Sequence, residues 1–254
     1  MSQRAEQYSA RVISQDALSD QLIRLRLEGE SPGWFTSTGV PDEWIGFVVP
    51  GQFQSRYYTV REWTGTELVV DIVIHQVGLV TEWASRDCVG ETVTITEPRG
   101  SFSPPADAKW LIVVGDLTAL PAMARIAEVT SLPTRIWAEV PEVPADYLPS
   151  SAEVNWLTPA PGGSQLSALV AGLEWPSGPG YFWMAGESAQ MRAIRTFMMQ
   201  ERRGTAYDVM GYWRRASARK PRAVDPGPIW RDGKAAGKSD EAIWAEYDNA
   251  RGHA

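Results

Sequence analysis

The first hundred residues alternate between apolar and polar positions with a period of two, as in strands that bury one face. In the run DQLIRLRLEG, Ile23, Leu25 and Leu27 share one face, whereas Arg24 and Arg26 lie on the other. The runs ELVVDIVIHQ and ETVTITEP repeat this alternation. Turn residues separate the runs, at Gly51, Gly65, Gly78, Gly90 and Pro98. Short strands at such regular spacing predict a closed barrel or a sandwich.

The pattern changes at the turn-rich segment SPPADAKW, near residue 105. A continuous apolar strand, a glycine turn and a helix follow in WLIVVGDLTALPAMARIAEVT. The runs TRIWAEVP and GYFWMAG are typical of further buried strands, and SAQMRAIRTFMMQERRG predicts a helix with Met191, Ile194 and Met198 on one face. Buried strands that alternate with helices predict a parallel sheet covered on both sides.

These patterns divide the chain into a β domain over residues 1–105, an α/β domain over 106–216 and a C-terminal extension over 217–254. The extension contains a stretch rich in proline and glycine, followed by one short predicted helix, DEAIWAEYDNA. We expect the extension to pack through Trp230 and Trp244, because exposed aromatic rings of this size are costly.

The amino-acid composition limits the kinds of cofactor and partner that the protein could use. The chain has one cysteine, Cys88, and two histidines, which excludes an internal disulfide framework and predicts no metal site of the usual zinc type. Redox chemistry would therefore need an organic cofactor. A net charge of −7 argues against a nucleic-acid partner. The polar N-terminus and the lack of a long apolar run predict a cytoplasmic protein without membrane insertion.

The stretch SRYYTVREW combines guanidinium groups, phenols and a hydroxyl on one predicted strand. Alternation places Arg56 and Tyr58 on one face, and Tyr57 and Thr59 on the other. Guanidinium suits a pyrophosphate, and aromatic rings suit a flat heterocycle such as a flavin. The alternative is an ordinary edge strand, since these residue types are common in strands.

The next motif, HQVGLVTEWA, follows a predicted strand and places Gly78 three residues before Thr81. We expect Thr81 to be the N-cap of a helix and Glu82 to lie in its first turn. Free N–H groups at such a helix start would bind a pyrophosphate. The alternative is a simple turn from strand to helix.

The segment GDLTALPAMARI predicts a ligand crevice at the carboxyl end of a buried strand, where Asp116 and Thr118 follow Gly115. Pro121 fits the first turn of the following helix. No G-x-G-x-x-G fingerprint is present. A second turn from strand to helix, AGESAQMRAIR, has Ser188 as a possible cap after Gly186 and Glu187.

The segment MGYWRR ends the last predicted strand and begins a basic cluster over residues 212–222. If this strand lies beside the Gly115 strand, Tyr212 and Trp213 would form an aromatic wall with Arg214 and Arg215 at its edge. The alternative, of equal weight, is a core tryptophan with solvated arginines.

These motifs, taken in order and spacing, resemble the siderophore-interacting protein family, the FAD-dependent ferric siderophore reductases of the ferredoxin reductase-like superfamily. The resemblance runs from about residue 8 to 216. It includes PDEWIGFVVP, SRYYTVR, TEPRGSF, VVGDLTALPAMARI, WMAGESAQMRAIRTFM and GYWRRA. It implies an antiparallel Greek-key β-barrel that binds FAD, followed by an α/β parallel-sheet domain of the nicotinamide-binding type.

The resemblance also implies roles for individual residues. Arg56 would bind flavin phosphate, and Tyr57, Tyr58 and Thr59 would contact the ring or the ribityl chain. Residues implied along the pyrophosphate are Gly78, Val80, Thr81 and Trp83. Residues implied near the flavin are His75, Asp116, Thr118, Ala119, Tyr212 and Trp213. Substrate would be bound by Arg61, Arg214 and Arg215, and no side chain is assigned as a certain acid or base.

Two departures from the family pattern concern the substrate. Many members carry a lysine at or beside the position of Gly46, and the acidic residue usual after Asp116 is Leu117 here. Charge could be compensated by Arg61, Arg99, Arg214, Arg215 or Arg219.

The implied function is reduction of an intracellular ferric siderophore through FAD, with NADH, NADPH or ferredoxin as electron donor. One alternative is a general flavin reductase that serves another acceptor. Another is a non-catalytic siderophore or flavin carrier.

Overall fold

The computed structural model describes residues 7–52, 54–74, 78–161, 163–215 and 226–252. Its first part is a closed six-stranded barrel in which all neighbouring strands are antiparallel. The strands are β1 (Gln7–Ser19), β2 (Leu22–Glu28), β3 (Trp44–Val48), β4 (Arg56–Trp63), β5 (Glu67–Val73) and β6 (Thr92–Thr96). Their order, β1-β2-β5-β4-β3-β6, confirms the predicted Greek-key barrel, whose closure leaves no free edge strand.

A short helix closes one side of the barrel core. This helix, α1 (Leu79–Ala84), follows β5 and inserts Val80 and Trp83 among the apolar side chains of the strands. Trp83 packs against Phe47 of β3 with ring centroids 5.9 Å apart, and its indole N–H donates to Glu91 at 2.8 Å. The helix is therefore fixed by its own buried side chains.

The second part is a parallel five-stranded sheet, as predicted. Its strands are β7 (Leu111–Asp116), β8 (Thr134–Glu139), β9 (Glu153–Leu157), β10 (Tyr181–Glu187) and β11 (Ala206–Trp213). The sheet order is β11-β10-β7-β8-β9. From β7 the chain first adds β8 and then β9 on one side of the sheet. It then returns to the other side of β7 and adds β10 and then β11. The strand order therefore reverses between β7 and β10. In open α/β sheets, ligands bind outside the carboxyl ends of the strands at this switch point.

Helices cover both faces of the sheet. A 3-10 turn (Leu117–Ala119) leads into α2 (Leu120–Val129), which packs on the face nearer the barrel, with Pro121 in its first turn as predicted. The opposite face is covered by α3 (Leu166–Gly172) and α4 (Ser188–Glu201). Within the described ranges, no helix is both long and apolar enough to span a membrane.

The C-terminal extension contains two helices rather than the one predicted. The predicted helix lies within α6 (Asp240–Gly252), but the stretch read as a linker contains α5 (Pro226–Ala235). Prolines are tolerated in the first helical turn, where their missing N–H has no intrahelical acceptor. Trp230 of α5 contacts Trp244 of α6, with ring centroids 6.2 Å apart, and Trp244 stays 43% exposed.

Ion pairs and hydrogen bonds join the barrel to the α/β domain. Arg61 of β4 makes two hydrogen bonds to Glu128 of α2, at 2.9 and 2.5 Å. From the same helix, Arg125 donates to the carbonyl of Val60 at 2.6 Å and lies 3.4 Å from the buried Glu43. Helix α2 is thereby fixed against β4.

A second junction centres on Asp71 of β5, whose side chain is fully buried. Arg24 of β2 binds it with two hydrogen bonds of 2.8 Å, and the hydroxyl of Tyr147, from the segment between β8 and β9, also donates to it. The guanidinium of Arg24 lies 5.8 Å from the Tyr147 ring centroid. The Asp71 carboxylate of the barrel thus binds the segment between β8 and β9 of the α/β domain.

We predict that Asp71→Asn lowers the free energy of unfolding by about 2–3 kcal/mol, because it leaves the half-buried Arg24 without its counter-charge. Urea denaturation measures this change. Glu67→Gln is the matched control, since Glu67 pairs with Arg26 across the same two strands at 3.4 Å but with both side chains over a third exposed. It should cost no more than about 1 kcal/mol. Equal losses for the two variants would contradict the assignment of Asp71 as a junction.

Candidate functional site

An open cleft of about 970 Å³ lies at the carboxyl ends of the parallel strands, beside the barrel. The end of β5 contributes Val73 and Ile74, and the sheet contributes Asp116, Glu187 and Trp213. Further lining residues include Gln21, Leu117, Thr118, Ser164, Gln190, Arg192, Arg214 and Arg215. The crevice predicted after Gly115 is present at the switch point between β7 and β10.

Asp116 organises the turn that enters α2. Its Oδ1 accepts hydrogen bonds from the N–H of Thr118 at 2.9 Å and from the Thr118 hydroxyl at 2.5 Å. Burial raises the pKa of Asp116, and the bonds from Thr118 partly offset this rise. Ala119 is fully buried, and a Cβ placed on Gly115 would lie 2.6 Å from its Cβ. The methyl group of Ala119 therefore packs under the turn and faces no ligand, contrary to the predicted role.

The last strand, β11, does not lie beside the Gly115 strand, because β10 lies between them. Trp213 nevertheless reaches the end of β7, where its indole N–H donates to Asp116 Oδ2 at 2.6 Å. Trp213 is partly exposed in the cleft, and Arg214 and Arg215 beside it are exposed. The structure thus combines elements of both alternatives: an aromatic wall of the cleft and solvated cations.

Helix α4 is capped by Glu187, so the prediction that Ser188 caps it is wrong. The Glu187 carboxylate accepts from the N–H groups of Ala189 at 2.7 Å and Gln190 at 2.9 Å. Burial raises the pKa of Glu187, but the hydrogen bonds from Gln190, Ala189 and the Arg215 N–H outweigh it, so the net pKa is lowered. Ser188 instead donates to the carbonyl of Trp213 at 2.7 Å.

From Arg56 to Val60 of β4, burial increases in chain order and does not alternate. Arg56 is exposed and Tyr57 is 68% exposed, whereas Tyr58 packs edge-on against Phe47 at 5.6 Å and Thr59 is buried. Burial raises the pKa of Tyr58 to about 12. The placement of Arg56 and Tyr58 on one face and of Tyr57 and Thr59 on the other stays a prediction, and burial peaks at Thr59 and Val60, where the strand approaches α2. Arg56 and Tyr57 are the side chains of this motif most open to a ligand.

Helix α1 begins at Gly78 and not at Thr81. Gly78 is the N-cap with φ +148°, a conformation that favours glycine, and Thr81 lies buried inside the helix. Glu82 lies in the first turn as expected. The side chains of Val80 and Trp83 belong to the barrel core, so a pyrophosphate could meet only backbone N–H groups here. His75 lies outside the described residues.

Tyr212 lies where the barrel and the sheet meet. Its ring packs edge-on against Trp183, with centroids 6.3 Å apart, and Thr59 of β4 lies beside its hydroxyl. Burial raises its pKa well above the ordinary value. The hydroxyl interacts with the Thr59 side chain, but it makes no hydrogen bond of standard geometry within the described part of the chain. A buried hydroxyl without such a bond, with the exposed Arg56 and Tyr57 on the barrel, fits a cofactor that has a polar ring and a phosphate.

Arg61 does not reach the cleft. Its guanidinium is held by Glu128 and lies 5.5 Å from the ring centroid of Tyr147, so the structure gives it a role between domains. Arg99, another possible compensating charge, is exposed in a bridge to Trp44, and Arg219 lies outside the described residues.

The position of the missing lysine is closed by packing. A Cβ on Gly46 would lie 2.8 Å from Thr96 Oγ1 and 2.9 Å from Thr96 Cγ2, and the Gly46 N–H donates to that same hydroxyl at 2.8 Å. A longer side chain at this position would displace Thr96. Opposite Gly46 on β4 stands the exposed Tyr57.

Sequence reasoning missed several polar residues of the cleft, among them Ser164, Gln190 and Arg192. Gln190 donates through Nε2 to the Ser164 hydroxyl at 2.9 Å, while its Oε1 is buried without a partner among the described residues. Gln190 could have been found from its place in the first turn of a helix that follows a buried strand. Ser164 comes from a loop with no motif, so its sequence carried no such signal.

Comparison with known proteins agrees with this geometry. Residues 52–102 match the siderophore-interacting FAD-binding domain, and residues 108–216 match the siderophore-interacting protein model. A siderophore utilization protein from T. fusca superposes with a TM-score of 0.72 at 26% identity, over 84% of this chain and 94% of that chain. The barrel and sheet together form the ferredoxin reductase-like fold. The chain belongs to the siderophore-interacting protein family.

Two sequence relatives define how far the likeness extends. The protein Rv2895c of Mycobacterium tuberculosis is 30% identical over 184 residues, which span 63% of this chain and 65% of that protein. The match thus covers slightly less than two thirds of that relative. The NADPH-dependent ferric-chelate reductase of Escherichia coli is 26% identical over 236 residues, which span 80% of this chain and 91% of that protein.

We predict that Glu187→Ala destabilises the protein by about 1 kcal/mol at pH 7, the usual cost of a lost N-cap. Because the pKa of Glu187 is lowered on folding, its contribution is present above the unfolded value of 4.5 and is lost as the pH falls through the folded value. Urea denaturation at pH 7 and below pH 4 measures this. Glu187→Gln, which keeps an acceptor oxygen, should cost less.

Glu201→Ala, at the exposed last position of α4, is the matched control and should change stability by no more than about 0.5 kcal/mol. If the cost of Glu187→Ala persisted undiminished at low pH, the carboxylate would not be the cap.

Proposed function

We propose that this protein is an FAD-dependent reductase of ferric siderophores that releases iron as Fe(II). The observation that carries the proposal is the junction of barrel and sheet: Tyr212 lies beside Thr59 of β4, the next residue, Trp213, lines the large cleft with exposed cations, and Arg56 and Tyr57 are exposed at the start of the same strand β4. Family membership supports FAD as the cofactor, and the name of the Escherichia coli relative supports a ferric chelate as the acceptor.

The residues present would hold FAD in three places. Arg56 would bind phosphate by charge-assisted hydrogen bonds, the Tyr57 ring would lie against an aromatic part of the cofactor, and the Tyr212 hydroxyl would gain a hydrogen bond of standard geometry. Bound FAD supplies the conversion of a two-electron donor into single-electron steps. The protein's own part is to position the reactants and to exclude water through the buried Thr59 and Val60 of β4.

The cleft at the carboxyl ends of β7 and β10 would take the electron donor. We propose a nicotinamide nucleotide, with NADPH supported by the name of the Escherichia coli relative. Arg192, Arg214 and Arg215 line this cleft in a protein of net charge −7, so they would attract phosphate groups. Ferredoxin remains the other donor to test.

A second candidate function is a general flavin reductase. It is favoured by Gly46, where Thr96 fills the space that a siderophore-binding lysine would need. In that case the acceptor would be a free flavin or another carrier, and the cofactor site would be unchanged.

The test begins with the purified yellow protein, photoreduced without oxygen. Ferric hydroxamate and ferric catecholate siderophores are then added, and flavin absorbance is followed together with an Fe(II)-specific chelator. The proposal predicts reoxidation with stoichiometric Fe(II) for at least one chelate class. A flavin that stays reduced with every chelate but is oxidised by free flavin would establish the second candidate. A flavin that no acceptor oxidises would leave a carrier and overturn both enzyme functions.

Arginine variants localise the anion site in a companion assay, in which NADPH replaces light as the source of electrons and flavin reduction is followed. Arg214→Gln with Arg215→Gln should raise the concentration of NADPH needed for half-maximal reduction about ten-fold, as expected when charged hydrogen bonds are lost. Arg203→Gln removes an exposed charge outside the cleft and is the matched control. If Arg203→Gln raised the required NADPH concentration as much as the double variant does, the effect would come from the net charge of the protein and not from a local anion site.

A further inference from the structure

Three residues from neighbouring strands meet at the floor of the cleft. Trp213 ends β11, Gly186 lies near the end of β10, and Asp116 ends β7. The indole of Trp213 crosses β10 to donate to Asp116 Oδ2 at 2.6 Å. This bond is therefore made between strands that are not neighbours in the sheet.

A β-bulge directs the indole across the sheet. Gly186 pairs with Gly211, but the next residue, Glu187, pairs with Trp213, so Tyr212 is an extra residue in β11. Bulges occur next to functional sites, where they re-aim a side chain, and they are rare in parallel sheets. Ser188 holds the bulge by donating to the Trp213 carbonyl at 2.7 Å.

Gly186 provides the space for this crossing. A Cβ on Gly186 would lie 2.8 Å from Asp116 Oδ2 and 3.2 Å from its Cγ. Any side chain here would push against the carboxylate that receives the indole N–H. The backbone φ of Gly186, +157°, also favours glycine.

Asp116 has no oxygen that lacks a partner. Oδ1 accepts both hydrogen bonds from Thr118, and Oδ2 accepts the indole N–H. Its contacts are thus directed to the protein, whereas the ring of Trp213 lines the cleft. The Asp116 carboxylate would therefore affect a bound ligand indirectly, by holding the Trp213 indole in position.

We propose that Trp213 is a fixed platform for the nicotinamide ring of the electron donor, and that Asp116 is its positioning residue. The identification of the bound ring as nicotinamide rests on the proposed function. Trp213 lies at the switch point, where Val73 and Ile74 of the barrel form the other side of the cleft. The flat indole offers a stacking surface for a nicotinamide ring, strongest for the electron-poor oxidised ring of NADP⁺, and the arginines in the same cleft suit the phosphates of the nucleotide.

Calorimetric titration of NADP⁺ into the purified, flavin-containing protein tests this arrangement. Trp213→Phe removes the indole N–H and shrinks the platform. Asp116→Asn keeps the volume, but whichever way its amide turns, its NH₂ group faces either the Thr118 N–H or the indole N–H. Each variant should raise the Kd for NADP⁺ about ten-fold, the lower end of the effect of a hydrogen bond to a charged group.

The double variant separates positioning from a general structural role. If Asp116 acts through Trp213, Asp116→Asn should add nothing to Kd in the Trp213→Phe background. Adenosine 2′,5′-bisphosphate, which lacks the nicotinamide ring, should bind all variants equally. Trp137→Phe, the same substitution on β8 and outside the cleft lining, should leave both affinities unchanged.

The proposal would be overturned if the increases in Kd caused by Asp116→Asn and Trp213→Phe were independent and additive. It would also be overturned if the variants lost affinity equally for NADP⁺ and for the ring-free nucleotide. A Trp213→Phe variant that binds NADP⁺ as tightly as the unmodified protein, or an unmodified protein that does not bind NADP⁺, would overturn it as well. The photoreduction assay needs no nucleotide, so chelate reduction can persist while the platform fails. Conversely, Trp213-dependent NADP⁺ binding without chelate reduction would refute the proposed acceptor and leave the platform intact.

Discussion

One buried carboxylate, that of Asp42, joins three segments of the chain at the domain junction, in addition to the contacts of helix α2 and of Asp71. It accepts hydrogen bonds from the backbone N–H groups of Ser101 and Phe102 at 2.8 and 2.9 Å, from the Ser101 hydroxyl at 2.8 Å and from the Trp183 indole at 3.2 Å. Asp42 precedes β3 of the barrel, Ser101 and Phe102 belong to the connector between β6 and β7, and Trp183 lies on β10 of the sheet. A buried ion is tolerated only when it is fully hydrogen-bonded, so barrel, connector and sheet must meet in one geometry.

Two consequences follow for the site. First, the fixed junction brings the exposed half of β4 and the ends of β7, β10 and β11 to the same region, so that barrel and sheet can act on one ligand assembly. Second, several arginines of this acidic protein, including Arg24, Arg61 and Arg125, are used inside it against carboxylates. The exposed Arg214 and Arg215 therefore give the mouth of the cleft a local positive charge that the net charge of the chain hides.

The architecture could be predicted from the sequence because it depends on periodicity, which a single chain displays directly. Alternation gave the barrel, continuous apolar runs gave the parallel sheet, and the Gly115 turn gave the crevice. Helix starts were less accurate. Thr81 and Ser188 both have side chains suited to capping, but Glu187 caps α4 because β10 ends there, and Gly78 caps α1 in a backbone conformation that favours glycine.

The finer arrangement of the site could not be predicted, since it depends on contacts between distant segments. No local signal shows that Arg61 is held by Glu128, or that β10 lies between β7 and β11. The bond from Trp213 to Asp116 needs a bulge and a glycine on two other segments, and neither is visible as a motif. The aromatic and charged residues themselves were found, because they stand in motifs whose order and spacing resemble those of the family.

The most direct test of the account is a crystal structure of the protein with FAD bound. We predict that the phosphates lie at Arg56 and that the isoalloxazine ring lies between β4 and the end of β11, with the Tyr212 hydroxyl hydrogen-bonded to the cofactor. A cofactor bound away from β4, or a Tyr212 hydroxyl that makes no hydrogen bond to it, would contradict the claim that barrel and sheet jointly form the site.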